Sequence, residues 1–172
     1  MAVDVGMEFS GLKEALKELN GIDKSLRRQI TKDFKQIVQP VVTRAQSQLP
    51  SGAPLSGMAY KWTGKSGADI MSWQDTRVKR NIKAFTSSKK VRETPGGSKQ
   101  NLGIFGVKWA GPQAAIFDML RTSQLGDSLT SRYDQPSRII YRSYEMMKDD
   151  VDRQVKELVN RVMKLTGNNG RI

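Results

Sequence analysis

The stretch most suggestive of chemistry is Ala59 to Ser66, A-Y-K-W-T-G-K-S, which fits a phosphate-binding loop with Ala in place of the first Gly. In such a loop, backbone N–H groups cradle the phosphates, Lys65 would reach the terminal phosphates, and Ser66 would ligate magnesium. That chemistry needs a buried strand before the loop and a helix after it. The preceding Leu49-Pro50-Ser51-Gly52-Ala53-Pro54 cannot be that strand, so the segment reads as a Gly/Ser/Lys loop. Gly103-Ile104-Phe105-Gly106 has the length of a loop that clamps RNA backbone. Its Ile and Phe suit a strand with small residues where another backbone approaches.

The carboxylates make no acid–base pair. Asp149, Asp150 and Asp152 lie on one charged face with basic residues four positions on, the pattern of surface ion pairs. Asp118 sits among Ile116, Phe117, Met119 and Leu120. It is expected to point outward or to bind Arg121 or another Arg, with a buried acid as the alternative. The sequence contains no Cys and no His, which excludes disulfides, thiolate nucleophiles, His-based catalysis and Cys/His zinc sites. No enzymatic activity, cofactor or metal is expected.

Charge is the strongest remaining signal. The chain carries +12, and residues 51–110 hold a net of +8 against +2 in each flank. Arg77, Lys79, Arg80, Lys83, Lys89, Lys90, Arg92, Lys99 and Lys108 lie in or beside one hairpin pattern. These nine side chains would serve phosphate contact or docking on an acidic protein surface. A solvated strand face with a loose tip is the plainer reading.

The elements that must position these groups follow from periodicity. Phe9 and Ser10 read as a hydrophobic staple and an N-cap before a short helix carrying Leu12, Leu16 and Leu19, which Asn20-Gly21 ends. Asp23 can cap a second helix. Leu26, Ile30, Phe34, Ile37, Val41, Ala45 and Leu49 form a stripe about 39 Å long, with a kink expected at Pro40. Residues 50–75 read as an extended loop or arm, with Leu55, Met58, Tyr60, Trp62 and Trp73 as its partner contacts. Val78, Ile82 and Ala84 alternate as a strand, and Leu102 to Trp109 is its antiparallel partner, with residues 87–100 as the basic hairpin tip around Pro95-Gly96-Gly97.

Gly111-Pro112 opens a short helical stretch through Leu120, and residues 122–136 read as loop. Ser137 is placed to cap a last helix about 45 Å long, striped by Ile140, Tyr144, Met147, Val151, Val155, Leu158, Val162 and Leu165 and closed by Gly167. Asp149–Arg153, Asp152–Lys156 and Glu157–Arg161 are its expected ion pairs. The expected fold is therefore α+β, a single domain over 1–172 with two long helices packed on a small antiparallel β-hairpin. A hydrophobic fraction of 37% is low for a self-sufficient globule and points either to extended helices or to help from neighbouring subunits. No apolar run approaches the roughly 18 residues of a membrane span, and the early acids Asp4 and Glu8 argue against a signal peptide.

This arrangement resembles a known family. F-S-G-L-K-E-A-L-K-E-L at 9–19, I-D-K-S-L-R-R-Q-I at 22–30 and V-Q-P-V-V-T-R-A-Q-S-Q-L-P at 38–50 look like the N-terminal half of the tail-component (neck) proteins of long-tailed phages, the gene-product-ten-like type. G-P-Q-A-A-I-F-D-M-L-R-T at 111–122 and P-S-R-I-I-Y-R-S-Y at 136–144 resemble the later segments of versions from actinobacterial phages. The resemblance covers nearly the whole chain and rests on the order of short motifs. The compact D-T-G-x-L element usual after the long helix is not found in the longer 50–72 loop.

The resemblance implies a non-enzymatic virion protein of the head–tail junction, assembled in the host cytoplasm. It would act as a homo-oligomeric, sixfold ring that joins, completes or terminates the tail tube. Its partners would be the tail tube protein and the head connector or stopper, with genomic DNA passing through the lumen and no membrane involved. The alternative, from charge alone, is a nucleic-acid-binding protein using the basic hairpin at 77–108.

Overall fold

The computed structural model describes residues 2–10, 14–18, 24–61, 67, 72–93 and 99–166. Within them the fold is α+β, with seven helices and a three-stranded sheet in the order β1-β3-β2. β1 is Ala2–Ser10, β2 Ile82–Glu93 and β3 Lys99–Ala110. The helices are α1 (14–18), α2 (Lys24–Ser47), α3 (Asp75–Arg80), α4 (Pro112–Ala114), α5 (Gln124–Tyr133), α6 (Ile140–Glu145) and α7 (Lys148–Leu165). α4 runs on as a π turn, Ala115–Met119.

Contacts divide the chain into two compact units. The first comprises Met1–Val5, Val41–Lys83 and Val107–Met146; the second Gly6–Pro40, Ala84–Gly106 and Met147–Ile172. Neither is a continuous stretch of chain.

In the first unit, Met58, Ile82, Val107, Trp109, Phe117, Leu129 and Ile140 are fully enclosed. Trp73 meets Trp109 and Phe117 edge to face, with ring centroids 6.4 and 5.4 Å apart, and Phe117 meets Tyr133 at 5.1 Å. In the second unit the apolar stripe of α7 (Val151, Val155, Leu158, Val159, Val162) and that of α2 (Ile30, Phe34, Val38) are buried. Phe34 stacks on Phe105 at 4.5 Å, which accounts for the Gly103–Gly106 run as strand. Arg161 on α7 pairs with Asp33 on α2 at 3.6 Å.

The long helix with Pro40 inside it is present as α2, and Pro40 faces solvent. The antiparallel hairpin is present too, and the described part of the segment after α2 holds a 3-10 turn at Ser56–Met58.

Five expectations are corrected. Phe9 and Ser10 end a strand and do not cap a helix, because Val3, Val5, Met7 and Phe9 alternate with Asp4, Gly6 and Glu8 at the strand period of two. Arg77, Val78, Lys79 and Arg80 belong to the helix α3, opened by Asp75 in its first turn, and the strand begins only at Ile82.

Residues 87–93 and 99–100 are strand, so the hairpin's regular part reaches well into the segment expected to be its tip. Residues 124–133, expected as loop, are α5. Ser123 Oγ accepts the Gly126 N–H, and Leu129 seals the helix against the core.

The last helix is two helices, α6 and α7, separated at Met146–Met147. Ser137 has a positive φ of 70° and caps neither. Arg153 pairs with Asp150, three residues earlier, which also accepts from Gln154 at 2.7 Å. Leu12, Leu19, Asn20-Gly21, Asp23, Trp62, Lys65, Ser66, Pro95-Gly96-Gly97 and Gly167 lie outside the described residues.

Candidate functional site

The basic residues fall in both units. Arg77 and Arg80 are exposed on α3, three residues apart and so on one helix face. Lys79 is half-buried, and its carbonyl accepts from Gln46 Nε2 at 3.0 Å, which ties α3 to α2. Lys83 is exposed on β2, and Lys108 is half-buried on β3. These five belong to the first unit. Lys89, Lys90 and Arg92 on β2 and Lys99 on β3 belong to the second, and only their backbone lies within the described structure.

The arm residues do not act as one surface. Met58 is enclosed and Trp73 is buried in the aromatic cluster, where its Nε1–H donates to Asp75 Oδ1 at 3.0 Å. Both are core residues, which corrects their place among the partner contacts. Leu55 is half-buried.

Pro54 and Ser72, in the described parts of the segment after α2, are each tied to the first unit. The Pro54 carbonyl accepts from Arg132 Nη1 at 3.1 Å and from the Tyr133 hydroxyl at 3.3 Å, and Gln113 Nε2 donates to the Ser72 carbonyl at 3.2 Å. Tyr60 stands out from this loop, 70% exposed. Immediately before it lies a 3-10 turn, not the buried strand that a phosphate loop follows.

The densest polar cluster in the first unit joins Asp118, which is the buried acid of the alternative reading and does not point outward, to Arg138, which the sequence reading does not single out. Asp118, fully enclosed, accepts the Ile139 N–H on Oδ1 at 2.6 Å, while Oδ2 is buried with no hydrogen bond. Arg138, also buried, donates to the carbonyls of Asp134 and Phe117, each at 2.8 Å, and to those of Leu120 and Asp118. Its Nη2 also reaches Thr130 Oγ1 at 3.0 Å.

Burial pushes the Asp118 carboxyl above the ordinary carboxylate value, against the opposing pull of backbone N–H groups and the Arg138 charge. Burial likewise lowers Arg138. Asp134 and Ser137, both with positive φ, belong to the same cluster: the Asp134 carbonyl accepts from Arg138, and the Ser137 N–H donates to the Asp118 carbonyl. Because Arg138 spends its donors on carbonyls and on the Thr130 hydroxyl, it has none to offer an anionic ligand. The cluster fastens the π turn, α5 and the entry to α6. The only signals for it in the sequence are one acid in an apolar stretch and one Arg beside Ser137.

No group of three or more His, Cys, Asp or Glu side chains among the described residues is placed to hold a metal. No described helix is long and apolar enough to cross a membrane. Comparison with family models, with curated proteins and with solved structures finds no match to this chain.

Proposed function

We propose that this chain is a non-enzymatic structural subunit of a phage virion, placed at the head–tail junction. It would join, complete or terminate the tail tube by assembling as a ring. The order of short motifs along the chain suggests this reading, and one observation carries it furthest. β2 and β3 are strands of twelve residues each, about twice the usual length, and both carry excess positive charge. At roughly 3.4 Å per residue each strand runs about 40 Å, a suitable length for an intersubunit arm.

The element order also supports the reading: a long helix with Pro40 inside it, a connecting segment, a hairpin and a C-terminal helix. Packing of α2 and α7 against the hairpin would form the subunit core. The partners would be the tail tube and the head connector or stopper, with the genome passing through the lumen.

The test is electron microscopy of the purified protein mixed with tail tubes and with head connectors. A ring, or a cap on the tube end, supports the reading. A monomer that binds neither defeats it.

A second reading is favoured by Arg77, Arg80 and Lys83, which are exposed and form no ion pair among the described residues. They would suit contact with nucleic-acid phosphates. Steeply salt-dependent DNA binding would support it.

A further inference from the structure

The second unit contains a surface groove of about 360 Å3 along the seam of α2 and α7. Ile37, Pro40 and Leu158 supply its apolar surface, and Gln36 and Glu157 its polar rim. The Asp33–Arg161 ion pair also lines it, at 3.6 Å. Pro40 has no N–H to give the Gln36 carbonyl, its partner four residues back in the helix, so an acceptor is left beside the groove. The Glu157 carboxylate is exposed and has no hydrogen bond or ion pair among the described residues. Such a site suits an aromatic ring with a hydroxyl for Gln36 and a cation beside it for Glu157.

The chain itself presents that combination in its first unit. Tyr60 is the most exposed large apolar side chain in the described structure, and Lys61 beside it is exposed too. The residue two positions before Tyr60 is anchored. Met58 is enclosed, its N–H donates to the Leu55 carbonyl at 2.9 Å, and its carbonyl accepts the Trp73 N–H at 2.9 Å. An aromatic knob close to an anchored residue loses little freedom on docking.

We infer that Tyr60 and Lys61 of one copy dock in the α2–α7 groove of a second copy, with Lys61 facing Glu157. Knob and groove are different surfaces, so the contact is heterologous and propagates head to tail, forming a ring where its rotation closes. The inference rests on the ring reading above and names the surfaces that such a ring would use.

The test places a photoreactive benzoylphenylalanine at position 60 of the full chain and irradiates it at about 1 mM, where even weak contacts are populated. The expected product is a covalent dimer or higher species whose linked peptide contains residues 33–40 or 154–161. Lys61→Glu or Glu157→Lys alone should reduce the yield about tenfold, and the two together should restore it, because the charges exchange places.

A link within one chain, a link to another surface, no link, or no rescue by the double exchange overturns the inference. Binding of the wild-type protein to tail tubes is measured separately. If that binding holds while the link is absent, the docking fails and the neck reading stands. If the link forms but no tail or connector protein binds, the neck reading fails and the docking stands.

Discussion

Asp118 and Arg138 are both buried at the entry to α6, yet each turns its polar atoms toward backbone and not toward the other's side chain. Asp118 Oδ1 accepts the Ile139 N–H at 2.6 Å, and Arg138 Nη1 donates to the Phe117 carbonyl at 2.8 Å. The acid therefore keeps an unpartnered, buried oxygen, Oδ2. The two side chains fasten the backbone of the π turn and of the entry to α6.

A pH effect follows from Asp118. Its folded-state pKa is raised by burial, so the folded chain holds a proton that the unfolded chain releases. Stability from this group is therefore fully kept below the ordinary value of 3.8 and declines as pH rises through the raised value. Asp134, held low chiefly by the Gln135 N–H and then by Arg142, acts in the opposite direction as pH falls. Denaturant unfolding of wild type and Asp118→Asn across pH 3–7 isolates the first effect. The variant should lack the decline, and parallel curves would show that Asp118 does not titrate in this way.

Arg138→Lys should cost about 3 kcal/mol of unfolding free energy, because three donors on a flexible stem cannot serve the carbonyls that Arg138 holds. Hydrogen exchange should accelerate first across α5 and the entry to α6. A cost under about 0.5 kcal/mol, the scale of ordinary surface substitutions, would contradict this role.

Gly126→Ala places a Cβ 2.7 Å from the Arg121 carbonyl carbon, a backbone atom that cannot rotate away. Chemical denaturation should show a loss of about 2 kcal/mol. Gly52→Ala, where a Cβ meets nothing within 4 Å, is the control and should change stability by less than about 1 kcal/mol.

Pro40→Ala returns an N–H to the Gln36 carbonyl at a solvent-facing position of α2. Thermal and denaturant unfolding should report a gain of about 1–3 kcal/mol, since Pro costs roughly 3 kcal/mol in a helix interior. A loss would mean that the proline is needed for packing that its exposure does not reveal.

Phosphate contact has its own signature. If Arg77, Arg80 and Lys83 bind nucleic acid, the logarithm of the affinity should fall against the logarithm of salt with a slope near −0.9 per phosphate neutralised. Arg80→Glu should weaken binding alike on all sequences. Absence of DNA binding at low salt would remove the nucleic-acid reading and leave an acidic protein surface as the counterpart.

Elements that repeat one period were legible from residues alone. Ile30, Phe34, Val41 and Ala45 announce α2, and Val151, Val155, Leu158 and Val162 announce α7. The break at Met146–Met147 was not legible, because the stripe from Ile140 through Val151 keeps its spacing across it. α3 is six residues long, too short for periodicity to separate it from a strand.

β1 was readable in the alternation of Val3, Val5, Met7 and Phe9, but Phe9-Ser10 also matches a helix entry, and local pattern cannot arbitrate. Met58 and Trp73 look like arm residues in a loop-rich stretch, and only the tertiary cluster with Trp109 and Phe117 takes them inside. The Asp118–Arg138 cluster joins residues twenty positions apart through backbone carbonyls, which carry no sequence signal.

The most direct test of the central claim is a cryo-electron microscopy reconstruction of the assembled particle with this chain traced in its density. The account predicts several copies in a ring at the head–tail junction, with the β2–β3 hairpin of each copy against a neighbouring chain. Absence of the chain from the particle, or its placement away from that junction, would contradict it.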